Sequence, residues 1–402
     1  MLSDRDIEKL IQPIVDRQNA ISRYVIRKIA QRVKEVGELL PSDVYKLERL
    51  YKSGADVRAI NKEIARLTKI QESEIKKLIR RVALDSYKDA KPFYDYRKIP
   101  FIDFADNKSL QNIVKAIEKQ TLGVYQNLSK AQAFMLRDRK NPKILKPTPI
   151  AKAYQSVIDE AVQASQSGAV DFHTAMRRTM TQLSDSGICH VEYNTESGRR
   201  YSQRLDTAVR RNLTDGVRAI NQGVQDETGK QFGADGKEIT VHAMSAPDHE
   251  PVQGHQFTNE EYEKLQSSES FKDLDGQEFA PIERHIGVLN CRHFTYSIIC
   301  GVSKPVYTKA QLEKIKEDNQ KGYTDKAGHH YTKYECSQKM RDMETKIRQQ
   351  KERYMTLMSC GDTEGADKAR AKVKQFNKEY SEFARACGLS TQFDRTRVEG
   401  YS

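Results

Sequence analysis

At 402 residues the chain has room for two or three domains, yet only 37% of it is hydrophobic, 31% is charged and tryptophan is absent. That composition argues against one large globular core and for apolar stripes along helices. The formal charge of +12 favours acidic partners, nucleic acid first, or else a well-solvated helical surface.

In chain order, residues 3–87 read as helix. Ser3 with Asp6 resembles a capping box, and Ile14, Ile21, Val25, Ile29 and Val33 recur at helical spacing after Pro13. Pro41 ends that segment, Val44, Leu47, Leu50 and Tyr51 begin another, and 72–84 forms a third carrying Lys76, Lys77, Arg80 and Arg81. RDRKNPKILKPTPI (137–150) sets Pro142, Pro147 and Pro149 among five basic residues. Prolines fix φ and remove donors, so 141–150 is expected as a linker or extended arm between a helical region, 1–140, and a central domain, 151–305. In that domain 151–183 is helical, and ICHVEY (188–193), KEITVHAM (237–244) and 293–299 are strand candidates. A basic helix with Arg204, Arg210, Arg211 and Arg218 follows an SGRR loop. The stretch 245–287 is polar with few apolar anchors, and a connection that long is functional or held by something other than a core.

The region 306–402 is expected as a helical hairpin. Thr308 with Gln311 reads as a capping box, and Gly361 followed by Asp362 supplies a C-cap and an N-cap between helices at about 332–358 and 362–386. Met340, Met343, Ile347, Tyr354 and Leu357 form its apolar line. The fold class is therefore mainly α with a small α+β central domain, an elongated molecule with a helical N-terminal region and a C-terminal helical hairpin. No stretch approaches the roughly 20 apolar residues that cross a bilayer. The six cysteines form no CxxC pair, which argues against a disulfide framework and for a reduced, soluble setting, in the cytoplasm or inside an assembly.

VLNCRHFTY (288–296) puts a thiol and an imidazole two positions apart. Five of the nine histidines, His242, His249, His255, His285 and His293, fall in the same region, 242–293. Neutral imidazole and thiolate are standard zinc ligands, four suffice for a closed site, and ligand bonds can replace a missing core. His242, His249, Cys291 and His293 are thus candidate ligands and zinc the candidate ion. The order H-x6-H-x5-H…C-x-H matches no known finger. A Cys-His nucleophile and a nuclease holding a cation through Asn290 and His293 stay open, as do plain structural residues. Arg199, Arg200, Arg204, Arg210 and Arg211 are candidate phosphate contacts; no aromatics interleave them, so base stacking is unsupported.

AVRRNLTDGVRAINQ, VHAMSAPDHEPVQGHQF and GVLNCRHFTYSIICGVSKP, in that order, resemble the phage minor capsid protein 2 family, a relative of the phage Mu F-type head-morphogenesis proteins. Ser197, Gly198, Arg199 and Arg200 match its first block. His242, Pro247, His249, Gln253, Gly254 and Phe257 match its second. Gly287, Asn290, Cys291, Arg292 and His293 match its third, with Gly301 and Val302 following. The resemblance covers roughly 150–402. Ala246 stands where the family usually has an arginine, so any role of that arginine lacks its residue here.

The resemblance implies a low-copy structural protein of a tailed-phage head, in the virion near the portal. It would contact portal protein or major capsid protein and non-specific double-stranded DNA, with no membrane partner and no established catalytic mechanism. Cys291 and His293 would then stabilise a small domain, with or without a metal. The alternative is a metal-dependent nuclease or Cys-His hydrolase centred on 242–293. A host DNA-binding regulator would need a helix-turn-helix or finger, and neither is recognisable.

Overall fold

The computed structural model describes residues 4–38, 54–138, 141, 143–167, 172–193, 200–288 and 291–401. Among the described residues three helices come first: α1 (Asp4–Gly37), α2 (Ala55–Arg97) and α3 (Lys108–Lys130). Ile14, Ile21, Val25, Ile29 and Val33 form a buried stripe on α1. Pro13 lies inside that helix. A proline there forfeits a backbone bond at roughly 3 kcal/mol. Ile7 and Ile11 before it, and Ile14 and Val15 after it, are all buried, and that burial keeps the helix continuous. α2 extends well past 72–84, through Pro92 to a left-handed cap at Lys98. Ser3, Pro41 and the helix start at 44–51 lie outside the described residues.

An antiparallel sheet of order β2-β1-β3-β4 follows, built from β1 (Gln132–Arg137), β2 (Leu145–Pro149), β3 (Cys189–Tyr193) and β4 (Arg200–Arg204). Helices α4 (Ile150–Ser167) and α5 (Phe172–Ser186) lie between β2 and β3. The proline-rich segment expected as a linker is thus largely an edge strand. Pro147 and Pro149 pair opposite Met135 and Ala133, which an edge position tolerates because its outer side needs no donors. The core does not break there either. One apolar cluster runs from Ile7, Val25 and Ile79 through Phe134, Tyr154 and Met180 to Leu213 and Val217 on α6 (Leu205–Gln231), and takes in Leu357 and Ala366. Two glycines bring α6 against α3: a Cβ on Gly216 would sit 2.6 Å from Thr121, and one on Gly223 2.7 Å from Ile113.

Beyond α6, β5 (Gly236–Ile239) pairs with both β6 (Gln256–Thr258) and β9 (Thr295–Ile298). Between them lie α7 (Asn259–Gln266) and the hairpin of β7 (Phe271–Lys272) and β8 (Glu278–Phe279). The strands are shorter than 237–244 and 293–299. The stretch 245–287 has its own core: Val252, Phe257, Leu265, Phe271, Phe279 and Ile282 cluster with Ile239. Their irregular spacing follows neither the helical nor the strand period, so no pattern announces them.

α8 (Lys309–Lys321) opens with the Thr308/Gln311 capping box. After a short hairpin, β10 (Tyr323–Thr324) with β11 (His330–Tyr331), α9 (Lys333–Ser359) turns into α10 (Thr363–Ala386). Gly361 at the turn has φ +82°, and Asp362 caps α10 through Gly365 N–H. Met340 and Ile347 cluster with Tyr380 and Ala384, as an antiparallel helical pair requires. The last residues return to the first helix: Arg395 donates to Glu8 at 2.8 Å and Arg23 to Glu399 at 2.7 Å. Among the described residues no helix is long and apolar enough to cross a membrane.

Candidate metal centre

Two loops meet beside β9. The connection from β5 to β6 carries His249, and the segment entering β9 carries Cys291 and His293. Cys291 N–H donates to Val288 O at 2.9 Å, closing a turn, and the strand begins only at Thr295. Both side chains can therefore face one point. Cys291 Sγ lies 3.4 Å from His249 Nδ1 and 3.4 Å from His293 Nδ1. All three are buried, and the three ligand atoms lie within 4.8 Å of one another.

Neighbouring acceptors fix the tautomers. A carbonyl oxygen only accepts, so His249 Nε2, 2.7 Å from Arg284 O, carries its ring proton. His293 Nε2 is 3.2 Å from Gln253 Oε1, which also accepts from His242 N–H at 2.9 Å and is thereby oriented. Both Nδ1 lone pairs thus point at one sulfur, whose single proton can satisfy only one of them. A cation satisfies all three groups. With bonds of roughly 2.0–2.1 Å to nitrogen and 2.3 Å to sulfur, tetrahedral zinc spaces the two ligand atoms about 3.6 Å apart. The observed 3.4 Å is close to that spacing.

The protonation chemistry agrees. Burial, then His242 and His249, push His293 down to about 2, and burial lowers His249 as well, so both rings favour the neutral form that a metal would need. Burial pushes the Cys291 thiol up, which disfavours a free thiolate nucleophile; coordination would instead remove that proton. The other histidines stand apart. His242 has its ring centroid 4.9 Å from that of His293 and its Nε2 on Arg292 O, outside the three converging ligand atoms. His255 bonds Asp273 at 2.7 Å and packs on Phe279, and His285 is exposed. Asn290 lies outside the described residues.

A family model described as phage minor capsid protein 2 matches residues 2–384. The chain belongs to that family. No curated protein and no solved structure matches it. As a phage minor capsid protein it is a virion component, and the match includes the N-terminal helices, which the sequence motifs from about 150 onward did not reach.

In this minor capsid protein the candidate phosphate-binding arginines have different fates. Arg199 lies outside the described residues, and of Arg200 only the backbone is described. Arg204 is nearly buried: its Nη2 is 2.9 and 2.8 Å from the two Glu352 oxygens, and its Nε is 3.3 Å from Asp206. Arg210 donates to Glu8 and, at 2.9 Å, to Gln12. Both are ion-paired across the fold. Their acidic partners are 148 and 202 positions away, out of sight of any local pattern. Arg211 is half-buried and has no ion-pair or hydrogen-bond partner for its side chain among the described residues. Arg218 donates to Cys291 O and lies over the Phe294 ring, bracing the turn from behind.

Sequence reasoning missed the orienting role of Gln253. It also missed Arg284, Arg341, Arg348 and Arg395, which share with Arg210 and Arg211 the lining of a cleft of about 310 Å³. His242, Ala246, His249, Cys291, Arg292 and His293 line the same cleft. Arg341 and Arg348, seven positions apart on α9, share a helix face and were readable as such; nothing local marks Arg395.

Proposed function

We propose that this minor capsid protein is a structural element near the portal vertex of a tailed-phage head. It contacts portal protein or major capsid protein and the phosphates of packaged double-stranded DNA. A zinc ion held by His249, Cys291 and His293 ties the β5–β6 loop to the entry of β9. The whole-chain family match supports the structural role. The metal rests on one observation, two imidazole lone pairs aimed at one buried sulfur. The +12 charge suits a DNA-filled interior, where phosphate contacts need no sequence reading.

A second reading has a specific observation in its favour. Three converging ligands leave a coordination position open toward an arginine-lined cleft, as in metal-dependent nucleases. Metal analysis of the full chain, melting with and without chelator, and incubation with plasmid DNA separate the two. One zinc per chain, a chelator-sensitive melt and intact plasmid support the structural tie. Metal-dependent cleavage abolished by His249→Ala supports the nuclease. Protein purified at neutral pH without any bound metal would overturn both. Location is tested by a virion reconstruction without imposed icosahedral symmetry: density for this chain at one vertex supports the portal position, and density at all vertices refutes it.

A further inference from the structure

We propose that the arginine-lined cleft beside the His/Cys centre binds a phosphate group. Seven guanidiniums line it: Arg210 and Arg211 from α6, Arg284 and Arg292 from the loops, Arg341 and Arg348 from α9, and Arg395 from the C-terminal turn. Glu344 is the one carboxylate among the lining residues. Of the acids behind them, Glu8 holds both Arg210 and Arg395, Asp206 is also bonded to Arg204, and Asp248 pairs with Arg284. Positive charge is therefore in excess in a partly enclosed cleft.

Two residues show that the compensation is incomplete. Arg211 has no side-chain partner among the described residues. The Nε of Arg348 makes no hydrogen bond, the Asp206 oxygen standing 3.9 Å away. In accord with this, burial and then the Arg341 charge lower Arg395 to about 10, and burial lowers Arg348. A bound anion would reverse both effects.

The geometry selects the kind of anion. The arginines converge from four directions in the chain, and a planar carboxylate can meet only one or two forks edge-on. A tetrahedral phosphate offers oxygens to several forks at once, and its charge matches the excess. A cleft of about 310 Å³ lies at the small end of ligand sites, roughly 300–1,000 Å³. It takes a phosphate and the group attached to it, but not a nucleic-acid duplex laid within it. The proposal does not require the metal, since every group it invokes is a guanidinium.

The test is calorimetric titration of the full chain with four probes, in the presence and absence of chelator. The probes are inorganic phosphate, a 5′-phosphorylated oligonucleotide, the same oligonucleotide without that phosphate, and closed circular duplex DNA. Saturable phosphate binding is expected, weakened about tenfold by Arg211→Gln, the loss of one charge-assisted contact. Arg211 is half-buried and unpaired, so this variant should fold; Arg341→Gln gives a second reading from the opposite wall. Preference for the 5′-phosphorylated strand assigns the site to terminal or free phosphate. Arg211-sensitive binding of circular duplex assigns it to backbone phosphodiester. No saturable phosphate binding, or equal affinity in folded Arg211→Gln and Arg341→Gln, overturns the proposal. Persistence of binding after chelation leaves it standing even where the zinc reading fails.

Discussion

Cys291 is the residue on which the metal reading is most sharply exposed. Serine keeps its size and a donor but makes a poor soft-metal ligand. Chelation is expected to lower the melting temperature of the natural chain, and the same treatment should leave Cys291→Ser unmoved. His255→Ala, which loses the bond to Asp273 and the packing on Phe279, should cost roughly 1–2 kcal/mol in denaturant unfolding with metal content unchanged. Arg204 makes a contrasting prediction. Removing it strands the buried Glu352 carboxylate, so Arg204→Ala should lose roughly 3–5 kcal/mol in urea unfolding. The paired change Arg204→Met with Glu352→Leu should recover only part of that loss, because buried Asp206 still loses its Arg204 partner. If Arg204 were a solvated DNA contact instead, the single variant would unfold like the natural chain. The cluster was legible because His249, Cys291 and His293 crowd one segment of unusual composition. The ties of Arg204 and Arg210 were not, because an ion pair closed across the fold leaves no local mark.

Among the elements, the C-terminal hairpin was the most legible, since cap chemistry acts over three or four residues. Gly361 has open space where a Cβ would go, so Gly361→Ala should cost only the backbone strain of φ +82°, about 1–2 kcal/mol. Asp362 does more than cap: Arg177 donates to it at 2.5 and 2.8 Å, joining α5 to the hairpin. A double-mutant cycle of Arg177→Ala and Asp362→Ala should return a coupling of about 0.5–3 kcal/mol in chemical denaturation. A cap acting alone would show none. The opposite case is 245–287, where irregularly spaced aromatics build a core that no period reveals. The metal is therefore not needed to order that stretch, and chelation should lower the melting temperature without unfolding the protein at room temperature.

At the scale of the whole molecule, the boundary suggested at 141–150 does not separate independent units. Phe134, Tyr154 and Val217 belong to the same core as Ile7 and Val25. The isolated fragment 150–402 would expose the faces that α1, α2 and α3 cover. It should lack a cooperative melt by circular dichroism, and a sharp transition in that fragment would contradict the shared core. The prolines that suggested a linker were sound chemistry read without the neighbouring strand, which only the folded chain supplies.

The return of the C-terminal turn to α1 has a consequence for synthesis. Arg395 meets Glu8 across 387 positions of chain. A ribosome adding roughly 5–20 residues per second takes about 20–80 s to travel that far. For most of that time the part of α1 that awaits α9 and Arg395 has left the exit tunnel with its partner still untranslated. The molecule can therefore complete its packing only after translation has passed residue 395, and until then that part of α1 stays open to a holding chaperone.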